Sequence, residues 1–238
     1  MLWVNNNLQM AIEKSSRFDF DLLADEYDSW YESAKGRMYD RLEKKAISCY
    51  LPPDAKGKKL LEVGCGTGHW SRFFSEYGFE VIGVDISERM VNIVKSKNIS
   101  DASFQLADGH SLPFPDETFD VTAAITTLEF VRDAEGVLRE MVRCTRKPGG
   151  QLLVGVLNVL ARLNRNRKQR SESPYAKVRL FSPSQLKQLL EPFGRLAMAT
   201  AGFVPNQKLF LPLAPLIDTV GRFFHIPYGA FIAAEVKL

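Results

Sequence analysis

Between Lys58 and Leu157 the chain alternates short apolar runs with amphipathic stretches, and few folds accommodate that rhythm. KKLLEVG, FEVIGVD, ASFQLAD, FDVTAAIT and GGQLLVGVL read as strands, several of them apolar throughout. Thr67–Tyr77, ISERMVNIVKSK and Ala134–Cys144 carry apolar residues at helical spacing. Strand–helix–strand alternation predicts a parallel sheet with helices on both faces.

The flanks differ. Phe18, Leu22, Leu23, Tyr27, Trp30 and Tyr31 recur at helix spacing within 17–50, and a second helical stretch runs from about Arg37 to Tyr50. Pro52 and Pro53 end it. After the fifth run, VLARLNRNRKQRSESPYAK is polar and basic and reads as a loop or lid. SPSQLKQLLEPFG predicts a short helix, with Ser182 as N-cap and Pro183 at the first helical position. RLAMATAGF and GAFIAAEVKL read as two last strands, separated by an apolar, proline-containing segment at 208–228.

Composition excludes several classes. A chain that is 45% hydrophobic and 25% charged builds an ordinary core, and a net charge of +3 creates no global field for nucleic acid or membrane. Cys49, Cys65 and Cys144 lack CxxC spacing, which argues against a zinc site or a disulfide framework and fits a reducing, cytoplasmic setting. No His/Cys/Asp cluster has metal spacing, so no metal is expected. MLWVNNNLQMAIEK lacks the basic-then-apolar order of a secretory leader, and prolines and charges interrupt LFLPLAPLIDTVGRFF too often for a spanning helix.

The chemistry begins at LLEVGCGTGHW. A glycine turn after a parallel strand lets backbone approach a ligand, and the next helix points free N–H groups at it. The dinucleotide fingerprint is GxGxxG. Here Gly64, Gly66 and Gly68 are spaced GxGxG, and His69 stands where the fingerprint needs a small residue. Glu62, two residues before the first glycine, would repel phosphates and suits a ligand with a positive centre. Asp85 ends FEVIGVD and can accept from both hydroxyls of a ribose. Asp108, after the third run, can accept from an adenine amine. Either acid could instead serve its local turn.

The ordered series LLEVGCGTG, VIGVDIS, LADGHSLPFPDETFDVT and LEFVRDAEGVLREMVRCTRKPGGQLLV resembles the class I S-adenosylmethionine-dependent methyltransferases, in particular the methyltransferase type 11 or ubiquinone-biosynthesis-like group, over about residues 20–160. The resemblance implies a doubly wound, seven-stranded, mostly parallel sheet whose last strand is antiparallel. It implies an N-terminal helical cap over 1–55 and a Rossmann-like core over 56–238, with a basic lid around 159–180 and an apolar insertion around 208–228. The implied cofactor is S-adenosyl-L-methionine. Glu62, Gly64, Cys65, Gly66 and Gly68 would lie beside its methionine part, Asp85 at its ribose, Ile86 on its adenine, and Asp108 and Gly109 near the adenine amine. Thr126 would stand near the methyl group. ADEYDSWYESAKG matches an A..YD.WY pattern of similar proteins, which makes Tyr27, Trp30 and Tyr31 candidate contacts.

Candidates for catalysis are Glu129 as base, Tyr31, and Asn158 as an acceptor-orienting group. His69, His110 and His225 are weaker candidates, read first as local structure. The expected activity is methyl transfer to a small molecule, amphipathic or lipid-like. The alternatives are a non-catalytic S-adenosylmethionine-binding protein and an RNA methyltransferase. ITTLEFV stands where amino-methylating nucleic-acid enzymes carry an NPPY-like run, which disfavours nucleic acid. In RLNRNRKQR five of nine residues are basic, and KLFLPLAPLIDTVGRFFHIPYGAF is apolar with aromatics. The first is either a solvated lid or a hold on an anion. The second is core, a homodimer interface, an acceptor pocket or a peripheral membrane contact.

Overall fold

The computed structural model describes residues 15–169, 174–205 and 208–238. The first 14 residues of the expected cap, residues 170–173 of the expected lid, and residues 206–207 lie outside the described set. Seven strands form one sheet: β1 Lys59–Val63, β2 Glu80–Asp85, β3 Ala102–Leu106, β4 Val121–Ile125, β5 Gln151–Leu157, β6 Arg195–Ala201 and β7 Phe231–Lys237. Their order is β3-β2-β1-β4-β5-β7-β6. The first five pair in parallel. β7 runs antiparallel between β5 and β6, in agreement with the expected reversal.

Among the described residues, seven helices of more than one turn accompany the sheet: α1 Ala34–Ser48, α2 His69–Tyr77, α3 Glu88–Ser96, α4 Ala134–Cys144, α5 Arg162–Lys168, α6 Pro183–Leu190 and α7 Ala214–Phe223. β4 and β5 are buried at every residue, as strands covered on both faces must be. Adjacent residues serve opposite layers. Leu61 joins Val137, Leu138, Met141 and Leu186 on the α4 and α6 side. Leu60 joins Ile47, Trp70, Phe74 and Phe231 on the α1 and α2 side.

Caps explain where the helices start. Ser87 accepts from the Met90 amide to open α3, and Asp133 accepts from the Gly136 amide to open α4. Ser182 and Gln185 form a reciprocal capping box at α6, with Pro183 in the first turn.

Two expectations are corrected, and one segment left open is filled in. The stretch 17–50 is a 3-10 turn at Phe20–Leu23, a single helical turn at Ser29–Glu32, and then α1. Ser33 breaks it: its backbone is extended at ψ 149°, and its side chain accepts from Gly36 N to cap α1. Residues 162–168 of the basic segment are helical, and 174–177 form a 3-10 turn. The apolar segment is a 3-10 stretch, Lys208–Leu213, followed by α7.

Candidate functional site

The carboxyl ends of β1, β2 and β4 open onto a cavity. Gly64, Gly66, Asp85, Ile86, Asp108, Gly109 and Thr126 line it, and the N-terminal segment covers it with Ser15, Phe20 and Tyr27. Local chemistry fixes this arrangement. The Gly66 amide donates to Asp85 Oδ2 at 2.8 Å, and the Ser87 amide donates to Asp85 Oδ1 at 2.9 Å. Burial raises the Asp85 carboxyl above its ordinary range, against the pull of those amides.

The glycines divide their work. At Gly66, with φ +51°, an added Cβ would meet only Tyr27 Cε1, 3.8 Å away, so the backbone faces open cavity. At Gly68, with φ +85°, an added Cβ would run into Val94 and Ile99. Gly68 therefore serves the seating of α2 against α3 and does not line the cavity. Cys65 and Glu62 lie behind the loop. Cys65 is buried with Val94 and Phe104. Glu62 is 2% exposed, accepts from the Ser71 hydroxyl, and is pushed up to about 8 by burial. The expectation that its charge faces a ligand is corrected: it is a buried carboxyl outside the cavity, and burial favours its neutral form.

Asp108 is already engaged. The amide of His110 donates to its Oδ1 at 2.9 Å, the His110 ring lies 2.8 Å from the same oxygen, and the Ser15 hydroxyl donates to Oδ2. Burial opposes ionisation, but the His110 ring, its amide and Ser15 together hold Asp108 down at about 2. His110 Nε2 faces the Asp133 carbonyl at 3.1 Å, so both ring nitrogens meet acceptors. Its hydrogen bond to Asp108 raises the imidazole above its ordinary value. His110 thus lines the cavity, where the sequence placed it in the loop.

A second chamber adjoins the first. Phe20, Tyr27, Thr126 and Phe130 line both. Leu23, Glu26, Ser29, Trp30, Tyr31 and Tyr175 complete it, so the walls are mostly aromatic.

Residues 34–195 match the methyltransferase-domain family, more than half of the chain. The chain belongs to the class I S-adenosylmethionine-dependent methyltransferases. It is 30% identical over 178 residues to an uncharacterised protein of Methanocaldococcus jannaschii, covering 74% of this chain and 80% of that one. It is 36% identical over 112 residues to the demethylmenaquinone methyltransferase of Tropheryma whipplei, 46% of each chain. Among solved structures, an S-adenosylmethionine-dependent methyltransferase of Thermotoga maritima, a possible histamine N-methyltransferase, superposes with a TM-score of 0.72 at 25% identity, covering 92% of this chain and 97% of that one.

The expected catalytic groups of this methyltransferase are placed unevenly. Tyr31 lines the chamber, and its ring stacks on His69 with centroids 3.6 Å apart. Burial raises its phenol well above the ordinary value, so it is a neutral hydrogen-bonding group and not a phenolate base. Glu129 lines neither cavity. Its Oε1 accepts from the Leu157 amide, its Oε2 is buried without a partner among the described residues, and burial pushes it up to about 8. Asn158 is corrected as well. Its Nδ2 donates to the Pro227 and Gly229 carbonyls at 2.7 and 2.8 Å, and its Oδ1 accepts from the Leu160 amide. It ties β5 to the segment before β7 and lies outside both cavities.

His69 is a packing and hydrogen-bonding group, its Nε2 2.6 Å from Asp40 and 3.0 Å from Lys44 Nζ. Sequence reading missed Phe20, Phe130 and Tyr175. Tyr175 sits in a segment whose polar composition carries no periodic signal. The Arg167 guanidinium, on α5, lies 4.2 Å from the Trp30 ring centroid and 5.2 Å from that of Tyr175.

Proposed function

We propose that this methyltransferase transfers the methyl group of S-adenosyl-L-methionine, held in the first cavity, to a small amphipathic acceptor seated in the aromatic chamber. The observation that carries this reading is the shared wall of Phe20, Tyr27, Thr126 and Phe130, which brings the two spaces together. The cavity suits that cofactor: Gly66 leaves backbone open to the ligand, Asp85 offers carboxylate oxygens for ribose hydroxyls, and Ile86 and Met90 offer an apolar surface for a base.

The bound cofactor supplies an activated, positively charged methyl donor, and the protein positions and shields. The residues of this chain do four things. Asp85 and the Gly66 turn hold one end of the donor. Thr126 sits where the two spaces meet. The aromatic faces of Tyr27 and Phe20 exclude water and favour a positive centre by about 0.5–2 kcal/mol. The neutral phenols of Tyr27 and Tyr31 orient the acceptor by hydrogen bonding. With Glu129 buried outside the chamber, the acceptor presents a nucleophile whose deprotonation does not depend on that carboxyl.

Titration calorimetry with S-adenosyl-L-methionine tests the cofactor half. Asp85→Ala should weaken binding about tenfold or more, since a hydrogen bond to a charged group contributes about 1.5–3 kcal/mol. Unchanged affinity would remove Asp85 from the site. A labelled-methyl screen of lipid-soluble and water-soluble cell fractions tests the acceptor half. Transfer confined to macromolecular fractions would sink it.

A further inference from the structure

The segment from Leu209 to Tyr228 is built in reverse for a helix lying on a water-soluble protein. α7 buries Ala214, Asp218 and Gly221, one small or polar residue per turn. Asp218 Oδ1 accepts from the amides of Gly202 and Phe203 at 2.7 and 3.2 Å, which anchors the helix through a carboxylate. The outward face carries Leu216, Ile217, Val220 and Phe223. Surface helices ordinarily turn their apolar stripe to the core and their polar side to water. Of the thirteen large apolar side chains exposed among the described residues, ten fall between 209 and 228, including Phe223 at 75%, Phe224 at 67% and Tyr228 at 62%. Patches of that density mark a surface made to be covered.

Charge distinguishes the occupant. Asp218 is the sole acidic residue between 202 and 234, and it is buried. Exposed Arg162 and Arg165 of α5 line an open groove together with Ile217 and Tyr228, so the apolar face continues directly into a cationic one. An apolar, aromatic helix face beside arginines, without an exposed acid, complements an anionic lipid interface. A self-complementary interface confined to this face would offer these arginines no exposed acid of the 202–234 segment to pair with. The location also fits. Tyr39 lines the same groove and stacks on Trp30, with centroids 6.4 Å apart, and Trp30 lines the aromatic chamber.

We propose that this face docks on an anionic phospholipid bilayer, with α7 and the 3-10 stretch before it lying in the interface and Arg162 and Arg165 on the lipid phosphates. Docking of this kind does not depend on the cofactor or on the identity of the acceptor. It would set the chamber one aromatic pair away from the lipid.

The test is flotation of the full chain, without cofactor, on vesicles of phosphatidylglycerol and phosphatidylcholine in equal parts, and on phosphatidylcholine alone. The chain should float with the anionic vesicles, and far less with the neutral ones. Arg162→Ala and Arg165→Ala should each cost about fivefold in apparent affinity, as should a comparable loss of surface potential in high salt. Phe223→Asp combined with Phe224→Asp should abolish flotation. Both side chains are exposed, so the variant should keep the wild-type melting temperature and cofactor affinity, which separates this proposal from the functional one. Equal flotation on both vesicle types, or none on either, overturns it. So does a wild-type dimer by light scattering that the double phenylalanine variant converts to monomer while wild type fails to float; the face would then join two copies.

Discussion

Thr126 is the residue on which both cavities turn. It follows β4, its amide donates to the Gly155 carbonyl at 2.7 Å, and its backbone lies at φ +51°, a region a β-branched residue enters at a cost. Such strain of about 1–3 kcal/mol persists where the surroundings enforce it. Thr126→Gly should therefore leave the melting temperature unchanged or raise it by a few degrees, while turnover falls roughly tenfold or more as the junction loosens. A drop in both would show that the threonine side chain, and not the enforced backbone, is what matters there. At this scale the sequence was legible wherever chemistry and chain position coincide. Asp85 is an acid at a strand end, and Gly66 is a glycine in a turn. It was illegible where burial decides: nothing local in LLEVG says that Glu62 points behind the loop, nor in TTLEFV that Glu129 bonds the Leu157 amide.

At the scale of elements, the N-terminal segment is held across the carboxyl edge by polar ties and not by a continuous helix. Asp21 accepts from the Ser87 hydroxyl at the start of α3, Asp28 accepts from the Thr67 hydroxyl and pairs with Lys97, and the Ser15 hydroxyl donates to Asp108. The Ser15 and Phe130 carbonyls accept from Arg132 and Arg17 amides, so the segment is also tied to the loop after β4. Each exposed tie is weak alone. Asp28→Ala should leave the core's melting transition in place, quicken proteolysis within residues 15–33, and raise the dissociation constant for S-adenosyl-L-methionine several-fold. Proteolysis at the wild-type rate would show that this tie does not hold the cover closed. The periodicity of 17–50 predicted a helix because Phe18, Tyr27 and Trp30 do face inward. Ser33 and the side-chain bond of Asp19 to the Asp21 amide divert the backbone, and periodicity does not register such bonds. The sheet was legible for the opposite reason: strands buried on both faces leave no choice but unbroken apolar runs.

At the scale of the molecule, buried carboxyls tie stability to pH, Glu62 and Glu129 among them. Glu62 and Glu129, raised to about 8 from an ordinary value of 4.5, keep protons in the folded chain that the unfolded chain has released. Their contribution is complete below about pH 4.5 and is lost progressively as pH rises toward 8. Denaturant titrations between pH 5 and 8.5 should show the unfolding midpoint falling with pH, and Glu62→Gln should flatten the slope. A slope that Glu62→Gln leaves unchanged would show that Glu62 does not hold its proton in the fold.

The position of β7 has a consequence for assembly in time. β6 meets the sheet only through β7, and β7 only through β5. A chain emerging from the ribosome can lay down β1 to β5 in succession, each against a neighbour already made. β6 must then wait, without a hydrogen-bonding partner, until residues 231–237 arrive to fill the gap. β7, made after both of its neighbours, is therefore the keystone that joins them, and until it sets, β6 is the part of the sheet most exposed to pairing with the wrong chain.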